Sequence, residues 1–188
     1  FDYEKGKWFN HQYLQLRSNE ELAEMFMPVL KEHLDESTYR NIDKSMVAKV
    51  IGLTKDRVNF VPELWEQVNF FFVAPTEYDE KSLKKRWKED SPRHMQELLA
   101  LLETVDEKDW RANREEQNEN GDTVVRWHLD DVVMPWIAEH EYGVGLVMNA
   151  FRICLVGAAR GPHIWNITDV LGKDETLRRV QAAIERIK

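Results

Sequence analysis

The hydrophobic positions along this chain recur mostly at three- and four-residue steps, which is the spacing of one face of an α-helix. The clearest stripe lies within residues 19–34 and consists of Leu22, Met25, Phe26, Val29, Leu30 and Leu34. Ser18 precedes this stripe and Glu21 follows three residues later, which is the pattern of a capping box at a helix start. We therefore predict a helix over 19–34.

Three further stripes predict helices. One follows Ser91, which caps the helix, and Pro92, which occupies its first turn. Another contains residues 132–137, with Pro135 as a bend or an early-turn residue, and the last begins near Asp174. The residues expected to face inward are Met95, Leu98, Leu99, Leu102, Val132, Val133, Trp136, Ile137, Leu177, Val180, Ile184 and Ile187.

Strand patterning is weak. Only Thr123–Leu129 alternates between apolar and polar residues, and the polar stretch before it offers no apolar partner strand. We predict an extended connector there, or at most a short strand, and assign the chain to the all-α class. The apolar run that ends at Ala74 gives way to Pro75 and charged residues, which predicts two packed helical subdomains over 1–74 and 79–188, with 115–122 as a second candidate boundary.

The composition is that of a globular protein with an acidic balance. The 188 residues carry 26 Lys and Arg against 34 Asp and Glu, for a net charge of −8, and 7 Trp, 8 Phe and 5 Tyr supply ample material for a core. The net charge is −4 over residues 1–78, −7 over residues 79–141 and +3 over residues 143–188. This charge argues against non-specific binding of DNA or other polyanions, but it leaves room for an RNA contact through a few arginines. Solvated helix faces are the alternative explanation of the charges.

Catalytic and metal-binding patterns are missing from the sequence. No two of the six histidines have the i, i+4 spacing of a zinc pair, and there is neither a Gly-x-Ser-x-Gly motif nor a phosphate-binding Gly-Lys-Ser/Thr loop. The lone Cys154 lies in an apolar helix and is expected to be a core residue, which also fits a reducing compartment. No run of 18 apolar residues predicts a membrane span. The chain alone is therefore not expected to be an enzyme.

Arg152 is unusual because it lies within a mainly apolar stretch, where a guanidinium needs a partner. Either a carboxylate of Asp169, Asp130 or Asp131 pairs with it, or its side chain projects toward a ligand. The connector that follows, over 157–163, contains Gly161-Pro162, which permits close approach of a ligand to the backbone. A helix corner with a core salt bridge is the structural alternative to a binding site.

Arg57 lies in a short polar link between two apolar segments, just before a helix start that contains Pro62. An arginine at such a junction usually caps a helix or lies on the surface. It is also available for bidentate hydrogen bonds.

Three stretches resemble, in the right order, the C-terminal half of bacterial glutamyl-tRNA synthetases. They are FDYEKGKWFNHQYL, DRVNFVPELWEQVNFFF and FRICLVGAARGPHIWNITDVLGKDETLRRV. The third is the most specific, because R-x-x-L-x-G, G-P and L-G-K-D-E-T-L form one long joint pattern. The resemblance covers nearly the whole chain, whereas residues of about 103–142 match poorly and have the character of a family-specific insertion or of sequence drift.

The resemblance implies the tRNA-recognising part of a cytoplasmic ATP-dependent ligase without its catalytic part. The His-x-Gly-His and Lys-Met-Ser-Lys-Ser signatures of the N-terminal catalytic domain do not occur here. ATP and Mg would belong to that missing domain of the same polypeptide, and the present chain would need no cofactor. The expected partner is the tRNA for glutamate, and a monomer is expected.

The resemblance also implies roles for residues in the first subdomain. Lys5 and Trp8 match positions that contact the inner bend of the tRNA near the D stem, where Lys neutralises phosphate and Trp packs on sugar or base. Core packing of Trp8 with Phe9 and Tyr13 is the alternative. Arg57 matches the arginine that recognises the third anticodon base, a cytosine, and its presence favours discrimination against glutamine tRNA.

In the second subdomain the resemblance implies a pocket for the first two anticodon bases. Arg152 matches the arginine of that pocket, and Gly161, Pro162 and Ile164 match its wall. Arg160 is a candidate phosphate contact without a firm family match. Unstacked bases would be recognised on their edges with few phosphate contacts, which explains how an acidic protein binds RNA. The rival hypothesis is an all-helical protein–protein interaction module, which the acidic middle and the many Trp residues also permit.

Overall fold

The computed structural model describes residues 2–188. Helices make up 69% of the chain, so the predicted all-α class is confirmed. The chain divides into two compact units, Phe1–Phe72 and Val73–Lys188. The division lies at the start of the segment over 73–79, where the sequence changes from apolar to charged.

The described part of the first unit is built from five helices. These are α1 (Tyr3–Leu16), α2 (Asn19–His33), α3 (Glu36–Arg40), α4 (Lys44–Gly52) and α5 (Leu64–Phe72), with 3-10 turns at Lys55–Arg57 and Val61–Glu63 between α4 and α5.

The predicted start of α2 is confirmed. The Ser18 hydroxyl accepts a hydrogen bond from the Glu21 N–H at 3.1 Å, and the Glu21 carboxylate accepts one from the Ser18 N–H at 3.1 Å. These two bonds satisfy N–H groups that a helix start otherwise leaves without partners. The apolar stripe of α2 then packs along α4, and the fully buried residues of this unit include Leu22, Phe26, Leu30, Val47, Val50, Ile51, Leu64 and Val68.

The second unit contains seven helices and one hairpin. Its elements are α6 (Glu80–Arg86), α7 (Ser91–Glu103), α8 (Glu107–Trp110), β1 (Asn113–Gln117), β2 (Thr123–Trp127), α9 (His128–Glu139), α10 (Val144–Val156), α11 (Ile164–Leu171) and α12 (Lys173–Arg186).

Helices α7, α10 and α12 pack on one another and form the centre of this unit. The predicted stripe of α7 is buried throughout, and Val180 of α12 is buried as well. Cys154 of α10 is also fully buried, and burial raises the pKa of its thiol far above the ordinary value. Cys154 is therefore a core residue, as predicted. Its thiol stays protonated and has little nucleophilic character.

Two helix boundaries differ from the predictions. The residue that precedes α7 is Asp90, and Ser91 lies inside the helix, where its hydroxyl accepts a hydrogen bond from the Lys88 N–H at 2.8 Å. Pro135 is not an early-turn residue, because α9 already begins at His128. The Ser91 hydroxyl therefore binds the backbone before α7 instead of capping the helix.

The prediction that no hairpin forms before Thr123 is wrong. β1 and β2 pair antiparallel, with Arg114 opposite Arg126. Asp131 bridges these two arginines, at 2.6 Å from Arg114 and 3.1 Å from Arg126. The Asn118 side chain accepts hydrogen bonds from the N–H groups of Asn120 and Asp122 in the turn. The hairpin is mainly exposed and has no apolar strand face. Ion pairs to Asp131 and hydrogen bonds in the turn stabilise it instead.

Candidate functional site

The 3-10 turn that carries Arg57 is held from both sides. The Arg57 N–H donates to the Thr54 carbonyl at 3.0 Å, and the buried Thr54 hydroxyl donates to Val50 of α4 at 2.9 Å. From α1, Gln15 donates to the Lys55 carbonyl at 3.1 Å, and His11 Nδ1 lies 2.9 Å from the Val58 carbonyl oxygen. The backbone around Arg57 is therefore fixed by two helices.

The side chain of Arg57 extends from this fixed turn into solvent. Arg57 is exposed, and its guanidinium forms no hydrogen bond or ion pair with the described residues 2–188. Most other arginines of the chain bind a carboxylate or a carbonyl. A planar guanidinium with all its donors available can form two parallel hydrogen bonds to one flat partner.

Lys5 and Trp8 lie on α1, the same helix that holds the Arg57 turn. The Trp8 side chain is 57% exposed and meets Phe9 edge-on, with 5.1 Å between the ring centroids. Phe9 and Tyr13 are also exposed, so the alternative that Trp8 packs with them in a core is wrong. The exposed Lys5 precedes His11 by six residues, about 9 Å along a helix. Both predicted stem-contact residues are thus accessible.

Arg152 lies on α10 and binds the connector that follows this helix. Its Nη1 donates to the carbonyl oxygens of Pro162 at 2.6 Å and Arg160 at 3.2 Å. Asp130 and Asp131, two of the three carboxylates considered as its partners, pair with Arg126 instead. The guanidinium is half-buried and holds the backbone of the predicted pocket wall in place.

The connector over 157–163 is also fixed at its first residues. Gly157 ends α10 with φ +84°, and a Cβ at this position would lie 2.8 Å from the Cβ of Pro75. Its carbonyl accepts from the Asp79 N–H at 2.8 Å, and the Ala159 N–H donates to the Ser82 hydroxyl at 3.0 Å. Only glycine combines this backbone conformation with such close approach.

The remaining predicted wall residues differ in accessibility. Gly161 is half-buried with φ +107°, and Arg160 is exposed. Pro162 is buried, and the Ile164 side chain is only 5% exposed, so it packs into the unit and offers little surface to a ligand. The accessible part of this connector is therefore the stretch through Arg160 and Gly161.

The start of α11 is tied to the same region. His163 caps the helix by accepting from the Trp165 N–H at 3.4 Å, and burial, with the nearby Arg152, lowers the pKa of its imidazole. The Trp165 indole donates to Asp130 at 3.0 Å. A neutral imidazole next to the Arg152 guanidinium keeps positive charge from accumulating at this point.

A buried arginine that the apolar pattern does not single out anchors the end of α10. Arg179 of α12 is 3% exposed, and it donates to the Leu155 carbonyl at 2.7 Å and to Glu175 at 2.8 Å. Burial lowers the pKa of Arg179, and the Glu175 carboxylate opposes that shift. The i, i+4 spacing of Glu175 and Arg179 is the sequence signal for the pair. This pair fixes the last turn of α10, from which the connector leaves.

The described residues form neither a metal-binding cluster nor a membrane-spanning helix. Within residues 2–188, no three His, Cys, Asp or Glu side chains converge as a metal site would require. None of the described helices combines the length and apolar character needed to cross a bilayer.

Comparisons with known proteins agree on one family. The family model described as "Anticodon binding domain" matches residues 21–184. The chain is 52% identical over 188 residues to a glutamate–tRNA ligase of Phocaeicola vulgatus, covering 100% of this chain and 33% of that protein. A second such ligase, from Porphyromonas gingivalis, is 47% identical over 189 residues, with coverages of 98% and 32%.

Solved structures give the same result. The crystal structure of a glutamate tRNA ligase from Elizabethkingia meningosepticum matches with a TM-score of 0.80 and 34% identity, covering 100% of this chain and 33% of that one. The glutamate-tRNA synthetase from Elizabethkingia anophelis matches with a TM-score of 0.74 and 34% identity, covering 98% and 32%. The chain thus spans about one third of the length of the relatives it matches, at their C-terminal end.

Proposed function

Because this chain belongs to the anticodon-binding domain family, we propose that it is the region of a glutamate–tRNA ligase that recognises the anticodon and inner stem of glutamate tRNA. The observation that carries the proposal is Arg57, an exposed arginine with no side-chain partner among residues 2–188, on a backbone turn held by two helices. Preorganisation of this kind lowers the entropy cost of binding.

Arg57 would recognise the third anticodon base, a cytosine. The Watson–Crick edge of cytosine presents a carbonyl oxygen and a ring nitrogen as adjacent acceptors, and both can accept from one planar guanidinium. A lysine ammonium cannot donate to them in the same geometry. A base pulled out of its stack is accessible to such a contact, as is usual in sequence-specific recognition of RNA loops.

The connector over 157–163 would bind the first two anticodon bases. Arg152 holds the carbonyls of residues 160 and 162, so its main contribution is to shape the pocket, and Arg160 and Gly161 offer the accessible surface. Lys5 and Trp8 on α1 would contact the inner stem through a phosphate and through a sugar or base face.

The reaction itself would take place elsewhere in the full-length protein. Activation of glutamate with ATP and Mg is proposed for the N-terminal catalytic domain, and this chain would contribute tRNA selection without a cofactor of its own. A monomeric, cytoplasmic ligase is the corresponding proposal for the parent protein.

The test compares Arg57→Ala with the unmodified chain on two RNAs. One is a glutamate tRNA transcript, and the other differs from it only at the third anticodon base. Loss of a bidentate contact is expected to cost about 1–3 kcal/mol on the first RNA, by analogy with base-edge contacts in DNA, and much less on the second. Arg57→Lys is expected to behave like Arg57→Ala.

Arg40→Ala is the matched control, because Arg40 is an exposed arginine of the same unit that pairs with Glu36. This variant should leave both affinities unchanged. Equal losses on the two RNAs after Arg57→Ala would remove Arg57 from base recognition.

A further inference from the structure

Residues 79–141 carry a net charge of −7, but they include one short basic stretch. Residues 81–88, here called the basic segment, have the sequence KSLKKRWK and contain no acidic residue. They form most of α6 and the two residues after it. All five cations are exposed, namely Lys81, Lys84, Lys85, Arg86 and Lys88.

The cations of the basic segment are not neutralised by the protein. None of their side chains forms a salt bridge with a residue of the described range 2–188, and the Lys88 ammonium donates a hydrogen bond to the Lys84 carbonyl at 3.2 Å. Asp79 is a negative neighbour of Lys81, and its carboxylate already accepts a hydrogen bond from the Ser82 hydroxyl at 2.7 Å. Elsewhere in this unit Arg93, Arg114, Arg126 and Arg178 all pair with carboxylates.

The spacing of the lysines places them together. Lys84 and Lys85 follow Lys81 at three and four residues, which places these three side chains on one face of α6. Lys88 lies two residues beyond the end of α6, and its ammonium reaches the Lys84 carbonyl at 3.2 Å. Leu83 and Trp87 are half-buried on the other side of α6, which packs against α10. The three exposed lysines of α6, together with Lys88 beyond its end, form a stripe of four ammonium groups.

The basic segment adjoins the connector that carries Arg160. The Ser82 hydroxyl accepts from the Ala159 N–H at 3.0 Å, and the Asp79 N–H donates to the Gly157 carbonyl at 2.8 Å. An RNA loop whose bases reach Arg160 and Gly161 would therefore bring its backbone phosphates close to α6.

We propose that the basic segment is a docking surface for the phosphate backbone of the tRNA anticodon arm. The inference rests on the proposed function and adds to it a sequence-independent contact beside the base pocket. Ammonium groups on flexible stems suit phosphates, because each acts as a point charge without a demand for one geometry.

Stabilisation of α6 by its own charges is the competing explanation. Lys84, Lys85 and Arg86 lie in the last turn, where cations interact favourably with the helix macrodipole. Lys81 lies in the first turn, where a cation is unfavourable, and Lys88 lies beyond the helix. The macrodipole therefore accounts for three of the five cations but not for the complete stripe.

The experiment neutralises two lysines of the stripe with a residue of similar helix propensity, in Lys81→Gln/Lys85→Gln. Lys108→Gln/Lys188→Gln is the control, because it removes the same charge from exposed positions outside the segment. The Kd for glutamate tRNA and for the transcript altered at the third anticodon base is measured from 0.05 to 0.5 M salt. Circular dichroism and thermal unfolding check the fold of each variant.

Release of one counterion per lost contact predicts a shallower dependence of log K on log salt, by about 0.7–0.9 per lysine. With 1 M salt as the reference, this corresponds to about a five- to eightfold weaker Kd per lysine at 0.1 M. The loss should be the same on both transcripts, and the control should bind like the unmodified chain.

Three results would overturn the inference: an unchanged Kd, a loss without a change in salt dependence, or a loss confined to one transcript. If the base-specific effect of Arg57→Ala persists in any of these cases, the proposed function stands and only the docking surface fails. If the unmodified chain binds neither transcript, both proposals fail.

Discussion

Nη1 of Arg152 donates a hydrogen bond of 2.6 Å to the carbonyl oxygen of Pro162, ten residues further along the chain. The same nitrogen lies 3.2 Å from the Arg160 carbonyl oxygen. One side chain of α10 therefore fixes the path of the backbone that leads into α11. This relationship makes Arg152 a positioning residue for the connector, whatever else the guanidinium contacts when RNA is bound.

Arg152→Met is expected to loosen the connector, because it removes the nitrogen that donates to both carbonyl oxygens. A hydrogen bond from a charged donor contributes about 1.5–3 kcal/mol. Hydrogen exchange at the Ala159 amide, which donates to Ser82, should become faster. Arg160→Lys is the control because it leaves the carbonyl of residue 160 in place, and equal exchange rates in the two variants would contradict the positioning role.

Gly157→Ala is expected to destabilise the chain more than Gly121→Ala. Both glycines have nearly the same positive φ, +84° and +83°, so the backbone cost of about 1–2 kcal/mol is shared. A Cβ at Gly157 would lie 2.8 Å from Pro75, whereas nothing lies within 4 Å at Gly121. Chemical denaturation of the two variants isolates the effect of the close contact. Equal losses in the free energy of unfolding would show that the connector shifts to accommodate the added Cβ.

Arg179→Met is expected to cost about 3 kcal/mol or more, because it leaves Glu175 without its buried partner and the Leu155 carbonyl without its donor. Arg178→Met, a change on the exposed side of the same helix that also contacts Glu175, should cost less than about 1 kcal/mol. Urea unfolding monitored by tryptophan fluorescence measures both. Similar midpoints for the two variants would indicate that the buried contact contributes little.

Acidification is expected to destabilise the chain through His94. Burial, and to a smaller extent Arg93, lowers the pKa of this imidazole from its ordinary value of 6.5, and the ring lies against Tyr142 at a tilt of 40°, with 4.1 Å between centroids. The unfolded chain therefore binds the proton first as the pH falls, and the free energy of unfolding decreases below about pH 6.5. His94→Gln should flatten the dependence of Tm on pH between 7.5 and 5.5.

His33→Gln supplies the comparison for this pH effect, because His33 is exposed on α2 and stacks on Trp65. That variant should keep the dependence of the unmodified chain. A His94→Gln profile as steep as the unmodified one would assign the acid sensitivity to other groups.

Local patterns predicted the helices well where one rule acted alone. Ser18 and Glu21 lie three residues apart, so a capping box could form without help from the rest of the chain. The stripe from Met95 to Leu102 is buried as expected, because its spacing matches the helix period. The same rules did not predict the hairpin over 113–127. The ion pairs of its two strands to Asp131 depend on α9, which begins only after the second strand.

The sequence alone predicted the apolar stripes of α2, α7, α9 and α12, and it singled out Arg57 and Arg152 as candidate binding residues. Only the tertiary structure decided that Arg57 faces solvent with no partner in the described part of the chain, while Arg152 binds backbone carbonyls. It also decided that α6 adjoins the connector after α10. The physical reason is that periodicity follows from the geometry of a single helix. The partner of a charged side chain depends instead on which groups the folded chain brings within about 3 Å of it.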